Sequence, residues 1–369
     1  MKKRFKLVLS AMLLLLVSSC GSNEPLRIGI VASLTGRYSD LGVQMRSGAR
    51  LAMEEINASG GVHGRRIELV ILDDESSMDV TDQAFQTMAE ENVDAVLGPV
   101  TSNQAMAAWK SIEAFGRPVV SPTVSTPTVA GRKDNFFRVI PTNQDWALRL
   151  SSYALTQKGL RTVVFVGDTL NADYVKTFEN AFARFFVEGG GRVLARLEFA
   201  SGKSVDWSGI IRSIEELSPD GVVIAASARD MGNLAQRVRL AGQQVLLLGP
   251  GWPATEESLQ MGGHAMEGAV FAVSHAERPD YTPYTVFCSR FEKRFGFAPN
   301  FAGVYAYEAM QAVALGLGKG KDVSTFAQAL TDAGELPGVY GPYRFDAFGD
   351  VVRETHILVV RGGHFVIEP

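Results

Sequence analysis

The sequence predicts an α/β protein of two lobes, each a doubly wound, mainly parallel sheet with helices on both faces. Three observations carry this. Short apolar runs alternate with longer stretches of helical period. The alternation runs from Leu26 to Val120 and starts afresh at Thr162. The 369 residues are also more than one core usually serves, and 46% hydrophobic with 21% charged residues is the balance of a globular chain.

The elements follow in order. Leu26–Ala32 is a strand-like apolar run, and Met45, Ala49, Ala52, Met53 and Ile56 give 42–57 the spacing of a helix face. Gly60-Gly61 ends that helix, and Ile67–Leu72 is the next strand. Asp79–Glu90 reads as helix, Ala95–Leu97 as strand, Ser102–Phe115 as helix and Pro118–Val120 as a fourth strand. The second series runs strand Thr162–Val166, helix Tyr174–Glu188, strand Arg192–Phe199 and helix Trp207–Leu217. Strand Gly221–Ala225, helix Asp230–Ala241 and strand Val245–Leu248 complete it. Helices resume after Pro283 without a new series of strands, so the chain is expected to return to the first lobe, with several crossings forming the hinge.

The N-terminus stands apart. Lys2, Lys3, Arg4 and Lys6 precede an apolar run from Leu7 to Val17, too short to span a bilayer, where about 20 residues are needed. A basic start, a short apolar stretch and small residues before a cut site read as a secretory signal. Val17-Ser18-Ser19-Cys20-Gly21 resembles a bacterial lipoprotein signal, with Val17 where Leu is usual. The resemblance implies cleavage after residue 19 and lipid on Cys20, and hence a membrane anchor. Cys288 is then the sole free thiol, expected on a helix as a small buried apolar residue. A formal charge of −4 lacks the basic surplus of a nucleic-acid binder.

No catalytic pattern emerges. His63, His264, His275, His356 and His364 show no H-E-x-x-H spacing, and the chain has no G-x-S-x-G elbow. Gly202-Lys203-Ser204 resembles the end of a P-loop, but Leu197 stands where its first Gly belongs. Gly316–Gly320 follows a helix rather than a strand, outside the dinucleotide context. Asp73-Asp74-Glu75 could seat a metal or form a solvated turn and helix cap, and three adjacent carboxylates more often do the second. Neither a cofactor nor a metal is expected.

Ligands of open α/β sheets sit beyond the carboxyl ends of the strands. Two such ends carry hydroxyls: Pro99-Val100-Thr101-Ser102-Asn103, which opens a helix, and Ser121-Pro122-Thr123-Val124-Ser125-Thr126. A helix start offers free N–H groups to a carboxylate, and Ser102 could add its hydroxyl, or could simply cap its own helix.

Further motifs join these. Leu34-Thr35-Gly36, Ala52–Asn57 with Gly60–Gly64, Leu72-Asp73-Asp74, Gly98-Pro99 and Arg138–Thr142 resemble leucine/isoleucine/valine-type periplasmic binding proteins. So do Asp206-Trp207-Ser208, Gly341–Asp346 and Gly349-Asp350, in the same order along the whole mature chain. The resemblance implies a type I periplasmic binding protein fold and a solute receptor that docks on the permease of an ATP-driven importer. It implies a signal peptide at 1–19, a first lobe from 20–140 plus 275–340 and a second from 141–274 plus 341–369. The same architecture also serves receptors that report to a sensor kinase without transport.

Carried over by position, the resemblance places a ligand carboxylate at Ser102. Thr123 and Ser125 add contacts through a carbonyl and a hydroxyl, Tyr174 reaches in from the second lobe, and Tyr38 and Leu41 line a side-chain pocket. In the stretch Gly249-Pro250-Gly251-Trp252, Gly251 stands where amino-acid binders carry the acid that pairs with the ligand ammonium, next to Trp252. Either Asp168, Asp173 or Asp230 takes that role, or the ligand has no α-ammonium.

Overall fold

The computed structural model describes residues 24–202 and 204–368; the signal-like segment and Cys20 lie outside them. Strand β1 (Leu26–Ala32) leads through helix α1 (Ser39–Ala58) to β2 (Ile67–Asp73), and α2 (Met78–Glu90) leads to β3 (Ala95–Leu97). Helices α3 (Ser102–Ala107) and α4 (Trp109–Phe115) precede β4 (Val119–Ser121), and a loop connects to β5 (Phe136–Arg138). The five strands form one parallel sheet in the order β2-β1-β3-β4-β5. Strands β3 and β4 are buried at every residue because helices cover both faces, which is why they read as unbroken apolar runs. The register sets Ile30 beside Leu97 and Leu97 beside Val120, so the loops after β1, β3 and β4 open at one edge.

The chain crosses into α5 (Asn143–Thr156), then β6 (Thr162–Asp168), α6 (Ala172–Glu188), β7 (Arg192–Phe199) and α7 (Trp207–Leu217). Next come β8 (Gly221–Ala225), α8 (Ala228–Leu240), β9 (Leu246–Gly249), α9 (Glu256–Gly262) and β10 (Val270–Val273). Helices α10 (Thr282–Phe295), α11 (Phe301–Leu317) and α12 (Val323–Asp332) follow, and α11 packs along α1 of the first layer. A hairpin of β11 (Arg344–Phe345) and β12 (Val351–Val352) precedes β13 (His356–Arg361) and β14 (His364–Glu368). The second sheet has the order β14-β13-β10-β9-β8-β6-β7, and its last two strands in sequence, β13 and β14, run antiparallel.

The structure departs from the sequence expectations in places. The helix expected over Ser102–Phe115 breaks at Ala108, whose ψ of 7° leaves the helical range while the apolar spacing continues across it. Strand β5 and helix α5 flank the short crossing at 139–142 and were not expected from the sequence, and β10, β13 and β14 complete the second sheet. Asp74 is fully buried rather than solvated and accepts the Ser33 hydroxyl at 2.6 Å; Ser77, not an aspartate, caps α2. Asp73 accepts from the backbone N–H groups of Leu34, Thr35 and Glu75, so this acidic turn holds the β1–α1 loop in place. Cys288 lies on α10, half-buried.

Two buried ion pairs tie the crossing strands together. Arg138, at the end of β5, meets the Asp350 carboxylate at 2.6 Å and donates to the Thr126 carbonyl at 2.6 Å. Arg353 pairs with Glu308 of α11, donates to the Val139 carbonyl at 3.0 Å, and lies over the rings of Tyr343 and Tyr305, 4.2 and 4.8 Å from their centroids. The Arg138–Thr142 and Gly341–Asp350 motifs thus meet at the junction of the two sheets.

Candidate functional site

At the end of β3 the backbone turns sharply. Gly98 has φ +129°, and a Cβ there would lie 2.2 Å from the Val31 carbonyl oxygen, so only glycine lets the loop pass so close to β1. The loop then feeds α3, where Thr101, not Ser102, is the cap. Its hydroxyl accepts the Gln104 N–H at 3.2 Å, while the Gln104 side chain takes the Thr101 N–H at 3.1 Å. Gln104 is itself held by Ser33 and Thr81, which roots α3 in the buried polar layer around Asp74. Ser102 is therefore released from capping. Its hydroxyl is buried and has no hydrogen-bond partner.

The loop after β4 is built similarly. Ser121 donates to the Pro99 carbonyl at 3.0 Å, and Thr123 donates to the Val100 carbonyl at 2.5 Å, which locks the two loops together. That commitment spends the Thr123 hydroxyl. The Ser125 hydroxyl, wholly buried, has no partner.

Across from these loops stand Tyr174 on α6, Trp146 on α5 and Trp252 after β9. Tyr174 meets Trp252 edge to face with centroids 5.3 Å apart, and Tyr38 lies on the other side of Trp252 at 6.0 Å. Leu41, Ser102, Thr123, Ser125, Tyr174 and Trp252 line one cavity between the two sheets, and Tyr38 borders it through Trp252. The space within is about 20 Å³, room for little more than one water.

Sequence reasoning missed Trp146, Asn171 and Phe301, which line the same cavity. The signal for Trp146 was present in the buried face Trp146, Ala147, Leu150, Tyr153 and Ala154, at helical spacing.

The electrostatics are unusual. Buried polar groups almost always have a partner, yet Ser102 Oγ, Ser125 Oγ and Trp146 Nε1 have none among the described residues. The Tyr174 and Tyr38 oxygens meet only the Trp252 backbone and the Arg37 side chain, respectively, which leaves both O–H groups free to donate. Burial pushes the Tyr174 and Tyr38 hydroxyls well above the ordinary phenol range, so both stay protonated donors. Among the described residues no charged side chain lines the cavity. Asp168 is buried and accepts from the N–H groups of Leu170 and Ser201; Asp230 accepts the hydroxyls of Ser201 and Ser227; Asp173 accepts the Thr128 hydroxyl. None of the three faces the space beside Ser102.

Gly251 is more than an omission. A Cβ at this position would come within 3.0 Å of His275 Cε1 and 3.4 Å of Trp146 Cη2, so these two rings fill the direction an acid would take. No basic group approaches Ser102 or Ser125 within hydrogen-bond distance, so neither hydroxyl is activated as a nucleophile.

The sequence pattern of one family, described as periplasmic binding protein, matches residues 25–364. The chain belongs to that family. A Leu/Ile/Val-binding protein homolog of Brucella melitensis is 24% identical over 328 residues, 88% of each chain. A leucine-binding protein of Thermotoga maritima superposes with a TM-score of 0.85 at 24% identity, covering 93% of this chain and 98% of that one. A solute-binding protein of R. palustris, solved in complex with benzoate, gives 0.83 at 23% identity, covering 93% and 95%. The fold of this periplasmic binding protein is thus the two-lobe type I architecture, and its role is to hold a solute rather than transform it. No helix among the described residues is long and apolar enough to cross a membrane.

Proposed function

We propose that this chain is the lipid-anchored solute receptor of an ATP-driven importer, and that its solute is a small organic acid without an α-ammonium group. The observation that carries the choice of solute is the set of unpartnered buried donors, Ser102, Ser125, Tyr174 and Trp146, around a cavity lined by no charged residue. Neutral donors suit a carboxylate, since a hydrogen bond to a charged group contributes about 1.5–3 kcal/mol. An ammonium buried there would meet aromatic rings and hydroxyls but no carboxylate, at a cost of several kcal/mol. The flat walls of Trp146, Trp252, Tyr174 and Phe301 suit an aromatic acid once they move apart, since the space of about 20 Å³ between them seats a water and not a ring. The benzoate complex of a structural relative supports that class.

In this reading Ser102 and Ser125 hold the carboxylate, Thr123 contributes its carbonyl, Tyr174 reaches across from the second lobe, and Trp252, Tyr38 and Leu41 shape the apolar end. The lobes, first from 20–140 plus 275–340 and second from 141–274 plus 341–369, part to admit the solute and close over it. The closed form docks on the permease, while lipid on Cys20 keeps the receptor at the membrane.

Titration calorimetry on the mature chain tests the solute class. Benzoate and 3,4-dihydroxybenzoate should bind more tightly than leucine, isoleucine or valine. Submicromolar leucine binding would overturn the assignment, and its loss in Asp168→Asn or Asp173→Asn would show which acid holds the ammonium. For the anchor, wild-type protein should partition into detergent with an acylated Cys20 at its N-terminus, and Cys20→Ser should not. An unmodified wild-type N-terminus elsewhere would refute the anchor alone.

A further inference from the structure

Behind Phe301, which walls the site around Ser102, the cleft between the lobes opens into a second cavity of about 640 Å³. Its chemistry is the opposite of the first. Asp40, Glu256, Glu257 and Glu277 line it, and among the described residues no lysine or arginine does. Glu257 is paired with Arg229 at 3.2 Å, whereas Asp40, Glu256 and Glu277 form no ion pair among the described residues.

Acidic side chains at a surface are ordinary, but the groups behind them are not. His275 is 5% exposed, and among the described residues its ring bonds only to the Ala254 backbone. Burial drives its pKa down to about 3, so the ring is neutral and keeps one nitrogen lone pair as an acceptor. The Thr255 hydroxyl, on a residue 8% exposed, is unpartnered. Gln44 donates its amide to the Ala298 carbonyl at 2.9 Å, which leaves its Oε1 unpartnered at the cavity wall. The remaining wall is aromatic: Phe301 stacks on His275 at 4.5 Å, and Tyr284 stacks on Tyr340 at 5.7 Å. Enclosure between the lobes and the nearby Glu257 push the Asp40 carboxyl up to about 6, although its edge remains open to water.

A lining of carboxylates, spare neutral acceptors and aromatic faces matches one ligand class. Hard divalent cations want a close cage of oxygens, and no cluster of His, Cys, Asp or Glu among the described residues is spaced for a metal. A cation with an apolar body uses both the acceptors and the rings. We propose that this second cavity is a binding site for an organic ammonium ion, separate from the carboxylate site and reaching both lobes. Its N–H donors go to Asp40, Glu277 and the free acceptors of Gln44 and Thr255, and its carbon chain lies along Phe301 and Tyr284. Asp40 and Gln44 stand on α1, while Thr255 and Glu257 come from the loop and helix after β9, so a bound amine links the two lobes.

Calorimetry at low salt with the mature chain tests this, using 1,4-diaminobutane, n-butylamine and magnesium chloride as probes. Both amines should bind saturably, magnesium should not, and Asp40→Asn with Glu277→Gln should weaken the amines about tenfold or more. Ser102→Ala should leave amine binding unchanged. Benzoate titrated into the same samples reports the first cavity separately, and circular dichroism reports folding; if the double variant does not fold, Asp40→Asn alone is read the same way. Absence of saturable amine binding, amine affinity unchanged in the folded variant, or magnesium binding as tight as the amines would each overturn the proposal.

Discussion

Replacing Ser102 by alanine should move stability and affinity in different directions. The Ser102 hydroxyl is 1% exposed and has no partner among the described residues. A buried hydroxyl without a partner costs about 1–3 kcal/mol, so its removal should leave the free protein as stable as before or more stable by about 1 kcal/mol. The same hydroxyl facing a carboxylate contributes about 1.5–3 kcal/mol, so benzoate affinity should fall about 12- to 160-fold. Thr101→Ala is the control, because Thr101 holds the Gln104 N–H at 3.2 Å and its loss removes a true cap, worth about 1 kcal/mol of stability. Urea unfolding and calorimetry on the two variants, side by side, give all four numbers. If Ser102→Ala is destabilised like Thr101→Ala while binding benzoate as tightly as wild type, Ser102 is a structural residue and the assigned site is wrong.

Further outcomes follow from particular residues. Gly251→Asp should lower stability by about 1–3 kcal/mol through overpacking against His275 and Trp146, and should not create leucine binding; a leucine-binding variant would show that the rings yield and that the missing acid alone sets the solute. Glu308→Ala leaves Arg353 buried without its carboxylate and should cost about 3–5 kcal/mol in urea unfolding, with a loss below about 1 kcal/mol arguing that the Tyr305 and Tyr343 faces suffice for the charge. Glu179, 5% exposed on α6, has its pKa raised by burial from 4.5 to about 7. The folded state therefore holds a proton that the unfolded state has lost, and stability falls as pH rises from about 4.5 to 7, by roughly 3 kcal/mol in all. Glu179→Gln should flatten that decline in a pH series of unfolding midpoints, and an unchanged slope would mean that Arg196, 3.8 Å away, keeps the carboxylate ionised.

How much was legible differs between fold and site for physical reasons. Strands buried on both faces, such as β3, β4 and β8, are apolar at nearly every position and lie within the βαβ alternation that announces them. The edge strands β2 and β7 are seven and eight residues long and belong to the same alternation. The strands outside it are harder to read: β14 shows no two-residue burial period and β5 is three residues long, so neither carries a pattern that a sequence window distinguishes from a loop. The break at Ala108 is equally silent, because Ala105, Ala108 and Ile112 continue the buried face through it. At the site, the hydroxyl-bearing loops after β3 and β4 were visible as composition, but which hydroxyl is spent was not. Thr101 and Thr123 are both committed to nearby backbone groups, whereas Ser102 and Ser125 are left over, and that division depends on loop closure between Thr123 and Val100. His275 lies outside any motif. Its proximity to Gly251 comes from the pairing of β9 with β10, a contact no local pattern encodes.

The unpartnered donors also bear on how the receptor discriminates. Polar contacts already join the lobes beside the cavity: Asn103 of α3 bonds Asn171 at 3.2 Å and the Leu170 carbonyl at 3.2 Å, and its Oδ1 accepts the Asp173 N–H at 3.0 Å. These contacts join protein groups to one another and need no solute to form. Selection falls to groups whose bonding is incomplete without one. Closing over a solute that bonds Ser102, Ser125, Tyr174 and Trp146 removes the cost of burying them bare, while a solute of the same shape without a carboxylate leaves that cost in place. On the proposed reading, the differential free energy that favours the closed state is largest for an anion with a flat apolar body. An amide analogue such as benzamide, equal in shape but neutral, isolates that charge contribution: it should bind more weakly than benzoate by about tenfold or more, and Ser102→Ala should narrow the gap. Equal affinities for benzoate and benzamide would mean that shape alone closes the lobes.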